Sequence, residues 1–158
     1  MLKSGDELKI EKDLKIQILW PRKEQIQENI LNNNSIVTKL KYKNFSMLFT
    51  GDIEEIAEKQ ILEKYKNSNI LQSTILKVAH HGSKSSSTQE FLEQVKPRIA
   101  LIGVGEKNTF GHPNAGVLER LINMGTKIYR TDENGEISVF VNKNGNIKLE
   151  ILYKVWYS

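Results

Sequence analysis

The stretch Leu48-Phe-Thr-Gly-Asp52, continued by Ile53-Glu-Glu-Ile-Ala57, changes its periodicity partway along. Phe45 to Thr50 is a short apolar run, which reads as a buried strand. From Ile53 onward the spacing is helical. Ile53, Ile56, Ala57 and Ile61 form an apolar stripe, with Gln60 and Lys64 in the same register. Gly51-Asp52 is the joint, and Asp52 is placed to cap the helix. A strand feeding a helix is the building unit of an α/β protein.

The same alternation extends in both directions. Leu14 to Trp20 alternates apolar and polar residues and reads as a half-buried strand ended by Pro21. Asn32-Asn33-Asn34 reads as a short polar turn. Ser35 to Lys43 alternates again, with Ile36, Leu40 and Tyr42 on one side and Lys39, Lys41 and Lys43 on the other. Lys43-Asn44 falls where a hairpin turn belongs. On the other side, Thr74 to Ala79 reads as a strand ending at His80. Ser87 or Thr88 caps a short helix that runs through Val95 and stops before Pro97. Arg98 to Val104 is another apolar strand. Asn114 opens a helix carrying Val117, Leu118, Leu121 and Ile122, closed by Gly125. Thr126 to Tyr129, Glu136 to Val141 and Asn146 to Tyr153 read as strands, with hairpin turns at Asn134-Gly135 and Asn144-Gly145.

Composition narrows the chemistry. The 158 residues fit one domain able to bury its own core. With no cysteine, disulfide scaffolds, thiol nucleophiles and thiolate metal sites are excluded. No apolar run is long enough to span a membrane, and Met1 to Ile10 lacks the apolar core of a signal peptide. The expectation is a soluble domain without an address label. A net charge of +4 permits a phosphate-rich partner without requiring one.

All 3 histidines lie in two motifs. His80 and His81 stand in Val78-Ala-His-His-Gly-Ser83, and His112 stands in Phe110-Gly-His-Pro113. Each follows a strand or a glycine-bearing loop, where α/β proteins keep their sites. With Asp52 they offer imidazole nitrogen and carboxylate oxygen, a ligand set suited to zinc or manganese. Ser83, Ser85, Ser86 and Ser87 offer hydroxyls and backbone N–H groups to phosphate oxygens. Each feature also has a plainer reading. Asp52 could be only a helix cap, and the histidine pair a core residue beside a surface one. The serines could be a loop with a cap, and His112 a turn former. Their clustering favours a site.

At these residues the chain resembles the metallo-β-lactamase-like domain of the ComEC competence protein family. The resemblance runs from Asn33-Asn-Ser-Ile-Val37 through Leu48-Phe-Thr-Gly-Asp52 and Leu76-Lys-Val-Ala-His-His-Gly-Ser83. It continues through Gly103-Val-Gly-Glu-Lys-Asn108, Gly111-His-Pro113 and Tyr129-Arg-Thr-Asp132 to Asn134-Gly135. The resemblance implies a hydrolase that cuts phosphodiesters with two metal ions and, in that family, degrades one strand of incoming DNA during uptake. Asp52 resembles the aspartate that bridges the metals. One of His80 and His81 resembles a late metal ligand, with His81 slightly favoured. His112 resembles a histidine near the site, assigned to substrate phosphate or proton transfer. Ser83 and Lys84 are the substrate-binding candidates, and Lys77 and Lys84 flank the motif as cations that could attract phosphate.

One departure from the family pattern is large. No histidine precedes His80, so the His-x-His/Asp-x-Asp-His cluster that supplies most of the family's metal ligands has no counterpart here. By resemblance, residues 1–158 are a single partial domain: the C-terminal half of an αββα sandwich, a mixed sheet flanked by helices. The expectations are weak or absent metal binding by this chain alone and no substantial nuclease activity. A face left exposed for the other half could support a homodimer. The alternative is a non-catalytic DNA-binding or assembly module that keeps the fold. By the same resemblance the expected parent is either a membrane-associated protein, with this domain extracytoplasmic, or a soluble stand-alone hydrolase.

Overall fold

The computed structural model describes residues 2–152. Its main sheet has seven strands in the order β1 to β7. The strands are β1 (Glu7–Lys9), β2 (Leu14–Trp20), β3 (Val37–Tyr42), β4 (Phe45–Phe49), β5 (Ile75–Lys77), β6 (Ile99–Ile102) and β7 (Lys127–Arg130). Strands β1 to β4 pair antiparallel, and β4 to β7 pair parallel. The change of direction follows from the connections. Lys43-Asn44 joins β3 to β4 as a two-residue hairpin, with Tyr42 opposite Phe45. The parallel strands are joined through helices α2 (Glu55–Tyr65), α3 (Gln89–Val95) and α4 (Ala115–Asn123).

Alternation along each parallel strand splits the core. Leu76, Ala100 and Ile102 face the helices with Ala57, Ile61, Phe91, Leu92, Val117 and Leu121. Ile75 and Leu101 face the opposite way, onto a hairpin of β8 (Glu136–Val141) and β9 (Ile147–Leu152), where Ile137, Val139, Val141 and Ile147 pack. The layers are helices, a mixed sheet and a two-stranded second sheet. Beside the hairpin, Leu14, Leu40, Tyr42, Phe45, Met47, Val139 and Val141 line an apolar cleft of about 350 Å³.

Several expectations are corrected. Asn134-Gly135 is not a hairpin turn: residues Thr131–Asn134 form one helical turn, α5, which carries the chain from the main sheet to the second one. Asn32 and Asn33 belong to another single turn, α1 (Ile30–Asn33), and the Asn33 side chain is buried. The lysine side of β3 is not all solvent. Lys39 is buried, and its ammonium donates to the carbonyls of Ile70 (2.7 Å) and Gln72 (2.5 Å). Ile36 and Ile122 are exposed. Strand β1 was not anticipated, because it is short and exposed throughout. The Tyr153 end of the last predicted strand lies outside the described residues.

Candidate active site

The parallel half brings the chemical motifs to one edge. Thr50-Gly51-Asp52 leaves the carboxyl end of β4, and His80-His81 follows β5. Gly103 follows β6, and the loop to α4 carries His112. Open α/β sheets place ligands at this edge because each strand there ends in a loop free to vary. The ends are stitched together. The Thr50 hydroxyl donates to the Lys77 carbonyl at 2.6 Å, and the His80 amide to the Gly51 carbonyl at 3.0 Å. Gly82 is required by contact: a Cβ there would lie 2.6 Å from Pro113 Cβ, and its φ is +82°. The Asn114 amide donates to the Gly82 carbonyl at 2.8 Å, which docks the His112 loop against the histidine pair.

Asp52 does not cap the helix. Helix α2 begins at Glu55 with Glu54 in the cap position, although the Glu54 side chain makes no capping bond. The Asp52 carboxylate is therefore left 45% exposed at the site. His80 and His81 both take left-handed backbone angles, φ +48° and +55°, where only glycine is free of strain. Strain of this kind persists where the surroundings over-determine the backbone, commonly at functional sites.

The two rings have different partners. His81 Nδ1 lies 2.5 Å from the Gly103 carbonyl. A carbonyl only accepts, so Nδ1 is the donor there, and in the neutral ring Nε2 keeps its lone pair. That Nε2 is 3.9 Å from Asp52 Oδ1. His80 stands with Glu54 instead, its Nδ1 3.5 Å from Oε1. That approach is not aligned as a hydrogen bond, and His80 Nδ1 is buried without a hydrogen-bond partner. The His80 ring meets the His112 ring edge-on, centroids 5.7 Å apart.

The surroundings set the charges. Burial pushes the Glu54 carboxyl up. Hydrogen bonds from Asn29 (2.7 Å) and Ser85 (2.9 Å), with the nearby His80, outweigh it and hold the group below its usual range. His112 is lowered by burial first and by His80 and His81 second. Lys77, whose ammonium donates to the Val78 carbonyl at 2.9 Å, is lowered by burial, against the pull of Asp52.

Of the substrate-binding candidates, Lys84 is exposed. Ser83 is buried, and its hydroxyl pairs with that of Ser85 at 3.0 Å. The loop that holds them is clamped by residues the sequence reading passed over. Glu58 is fully buried and accepts from the Ser87 amide (2.5 Å), the Thr88 amide (2.8 Å) and the Thr88 hydroxyl (2.8 Å). Burial raises its carboxyl, opposed by Thr88, Ser87 and Arg120. Arg120 donates to the Ser87 carbonyl at 2.9 Å. The available signal was position: Glu58 lies one residue from Ala57 and three from Ile61, within the apolar stripe.

Asp52 and His81 fit a borderline divalent cation. They present one oxygen and one nitrogen donor, and the second ring nitrogen of His81 is fixed by a carbonyl, as metal-binding imidazoles usually are. They form only part of a four-coordinate set. Among the described residues, no group of three or more histidines, aspartates or glutamates could hold a metal.

The chain is 37% identical over 136 residues to ComE operon protein 3 of Bacillus subtilis, a match covering 86% of this chain and 17% of that protein. It is 32% identical over 114 residues to competence protein ComA of Neisseria gonorrhoeae, covering 72% of this chain and 16% of that one. It is also 32% identical over 131 residues to recombination protein 2 of Haemophilus influenzae, 80% of this chain and 15% of the relative. The chain thus spans less than a fifth of the length of the curated relatives it matches. A crystal structure from Parabacteroides distasonis, described as a metal-dependent hydrolase, superposes with a TM-score of 0.53 at 14% identity, over 83% of this chain and 56% of the other. At that identity the likeness shows the fold. No protein-family model matches the chain.

Proposed function

The chain belongs over most of its length with the ComEC-type competence proteins, and from that premise we propose that it supplies part of the active site of a metal-dependent phosphodiesterase acting on DNA during uptake. The observation that carries this reading is the pairing of Asp52 with the free nitrogen of His81, whose other nitrogen is fixed by Gly103. In this reading residues 1–158 are a partial domain. Asp52 and His81 hold the metal, zinc or manganese, and the remaining ligands come from groups other than those described.

Asp52 and His81 would hold a divalent cation, which would supply Lewis-acid activation of the phosphodiester and of water. The protein's own residues do the rest. Gly103 keeps the His81 lone pair available. His80 supports His112 rather than taking the metal. His112, less basic than an ordinary imidazole, is a correspondingly stronger acid once protonated and suits donation to a leaving oxygen. Lys84 attracts the strand from solvent, and Ser83 shapes the loop more than it binds.

The second reading is a module that binds DNA or a partner without cutting. The lack of a three-ligand group among the described residues favours it. Metal binding separates the two. Purified chain is titrated calorimetrically with Zn²⁺ or Mn²⁺, beside Asp52→Ala/His81→Ala and His80→Ala. The expected result is weak binding that falls at least tenfold in the double variant, with His80→Ala close to wild type. Equal binding by wild type and double variant would remove Asp52 and His81 from the metal site and leave the non-catalytic reading.

A further inference from the structure

Phe110 is 81% exposed, an unusual position for a phenylalanine whose loop is well anchored. The Asn108 side chain accepts from the His112 amide (3.0 Å) and donates to the His112 carbonyl (2.9 Å), so the loop closes on itself around Phe110. The Phe110 ring stacks on the His112 ring, centroids 6.1 Å apart and planes inclined by 20°. The His112 ring in turn meets His80. A row of three rings thus leads from the site edge outward, and its last member turns most of its surface to solvent. Nothing in the fold covers that surface among the described residues. Leu31 is more exposed still, but it lies in α1 and has no π face. Lys107 and Lys84 are exposed as well.

We propose that Phe110 is a stacking platform for an unpaired nucleobase of the substrate strand. This rests on the reading of the site as one that acts on DNA, and it narrows the substrate to single-stranded nucleic acid. The chemistry is general. A flat, solvent-exposed aromatic binds bases by their π faces with little regard to sequence. A base pair inside a duplex hides those faces. His112 backs the ring from behind, which fixes its orientation before any base arrives.

The test is fluorescence anisotropy with the full chain, using labelled oligo(dT) and an abasic oligonucleotide of the same length and charge. Wild type is expected to bind oligo(dT) roughly tenfold more tightly than the abasic strand. Phe110→Ala should abolish that preference, while Phe110→Tyr, which keeps a π face, should retain it. Both variants should melt with wild type, because the ring is exposed. A preference unchanged in Phe110→Ala, no preference in wild type, or no measurable binding of oligo(dT) would overturn the proposal. The metal titration of Asp52→Ala/His81→Ala is read separately, so a failure of the metal site and a failure of the base contact are distinguishable.

Discussion

The antiparallel half of the sheet and the carboxyl edge of its parallel half treat polar groups differently. In the first, the buried ones are matched. The Lys39 ammonium closes on two carbonyls, and the buried Trp20 indole donates to the Asn33 carbonyl at 2.7 Å. In the second, groups are left open. Asp52 has no cap to make, His80 Nδ1 is buried without a hydrogen bond, and two successive histidines sit in left-handed backbone. A buried polar group without a partner destabilises a fold, so one half is arranged for stability and the other carries an expense that binding could offset.

The contrast breaks first at Glu58, which lies behind the edge yet is fully matched. Glu58→Ala should destabilise the chain by about 3 kcal/mol in urea unfolding, because two backbone donors and the Thr88 hydroxyl lose their acceptor beside Arg120. A loss near zero would mean that the serine loop stands without its clamp. Lys39→Met keeps much of the volume and strands two carbonyls, so a loss of about 2 kcal/mol is expected by the same measurement.

His80→Gly should have the opposite sign. It relieves a left-handed residue and removes a buried, unpartnered nitrogen, at the entropic expense of a glycine. The unfolding midpoint should rise, by up to about 1 kcal/mol of stability. A fall would show that the His80 ring is structural.

The smallest effect is a pH dependence. His112 is depressed in the folded chain, so between its lowered value and the ordinary imidazole value the unfolded chain binds more protons. Stability from this residue is present above the ordinary value and is lost as pH falls through the lowered one. His112→Asn should flatten that part of a melting-temperature profile. An unchanged slope would assign it to another group.

Much of the fold was legible. The bounds of β2 coincide with the predicted strand, Thr88 and Asn114 cap the helices named for them, and the α2 stripe is the core face. These rest on local periodicity and capping chemistry, which a sequence displays directly. The errors share a cause. Asn134-Gly135 has the composition of a hairpin turn, but which sheet the next strand joins is not encoded at the turn. Lys39 looks solvated because its alternation names a face without saying what covers it. The exposure of Phe110 and the burial of Glu58 were not legible for the complementary reason: both depend on elements distant in the chain.

The sequence by itself determined the alternating elements, the motifs and the candidate residues Asp52, His80, His81 and His112, because each depends on residue type and short spacing. The tertiary structure decided which histidine stands with Asp52. It did so through a carbonyl from a neighbouring strand end: Gly103 is 22 residues from His81 along the chain and 2.5 Å from its ring. Adjacent histidines are equivalent in a one-dimensional reading. They become distinct when left-handed backbone turns their rings to different partners, Asp52 and Gly103 for one, Glu54 and His112 for the other.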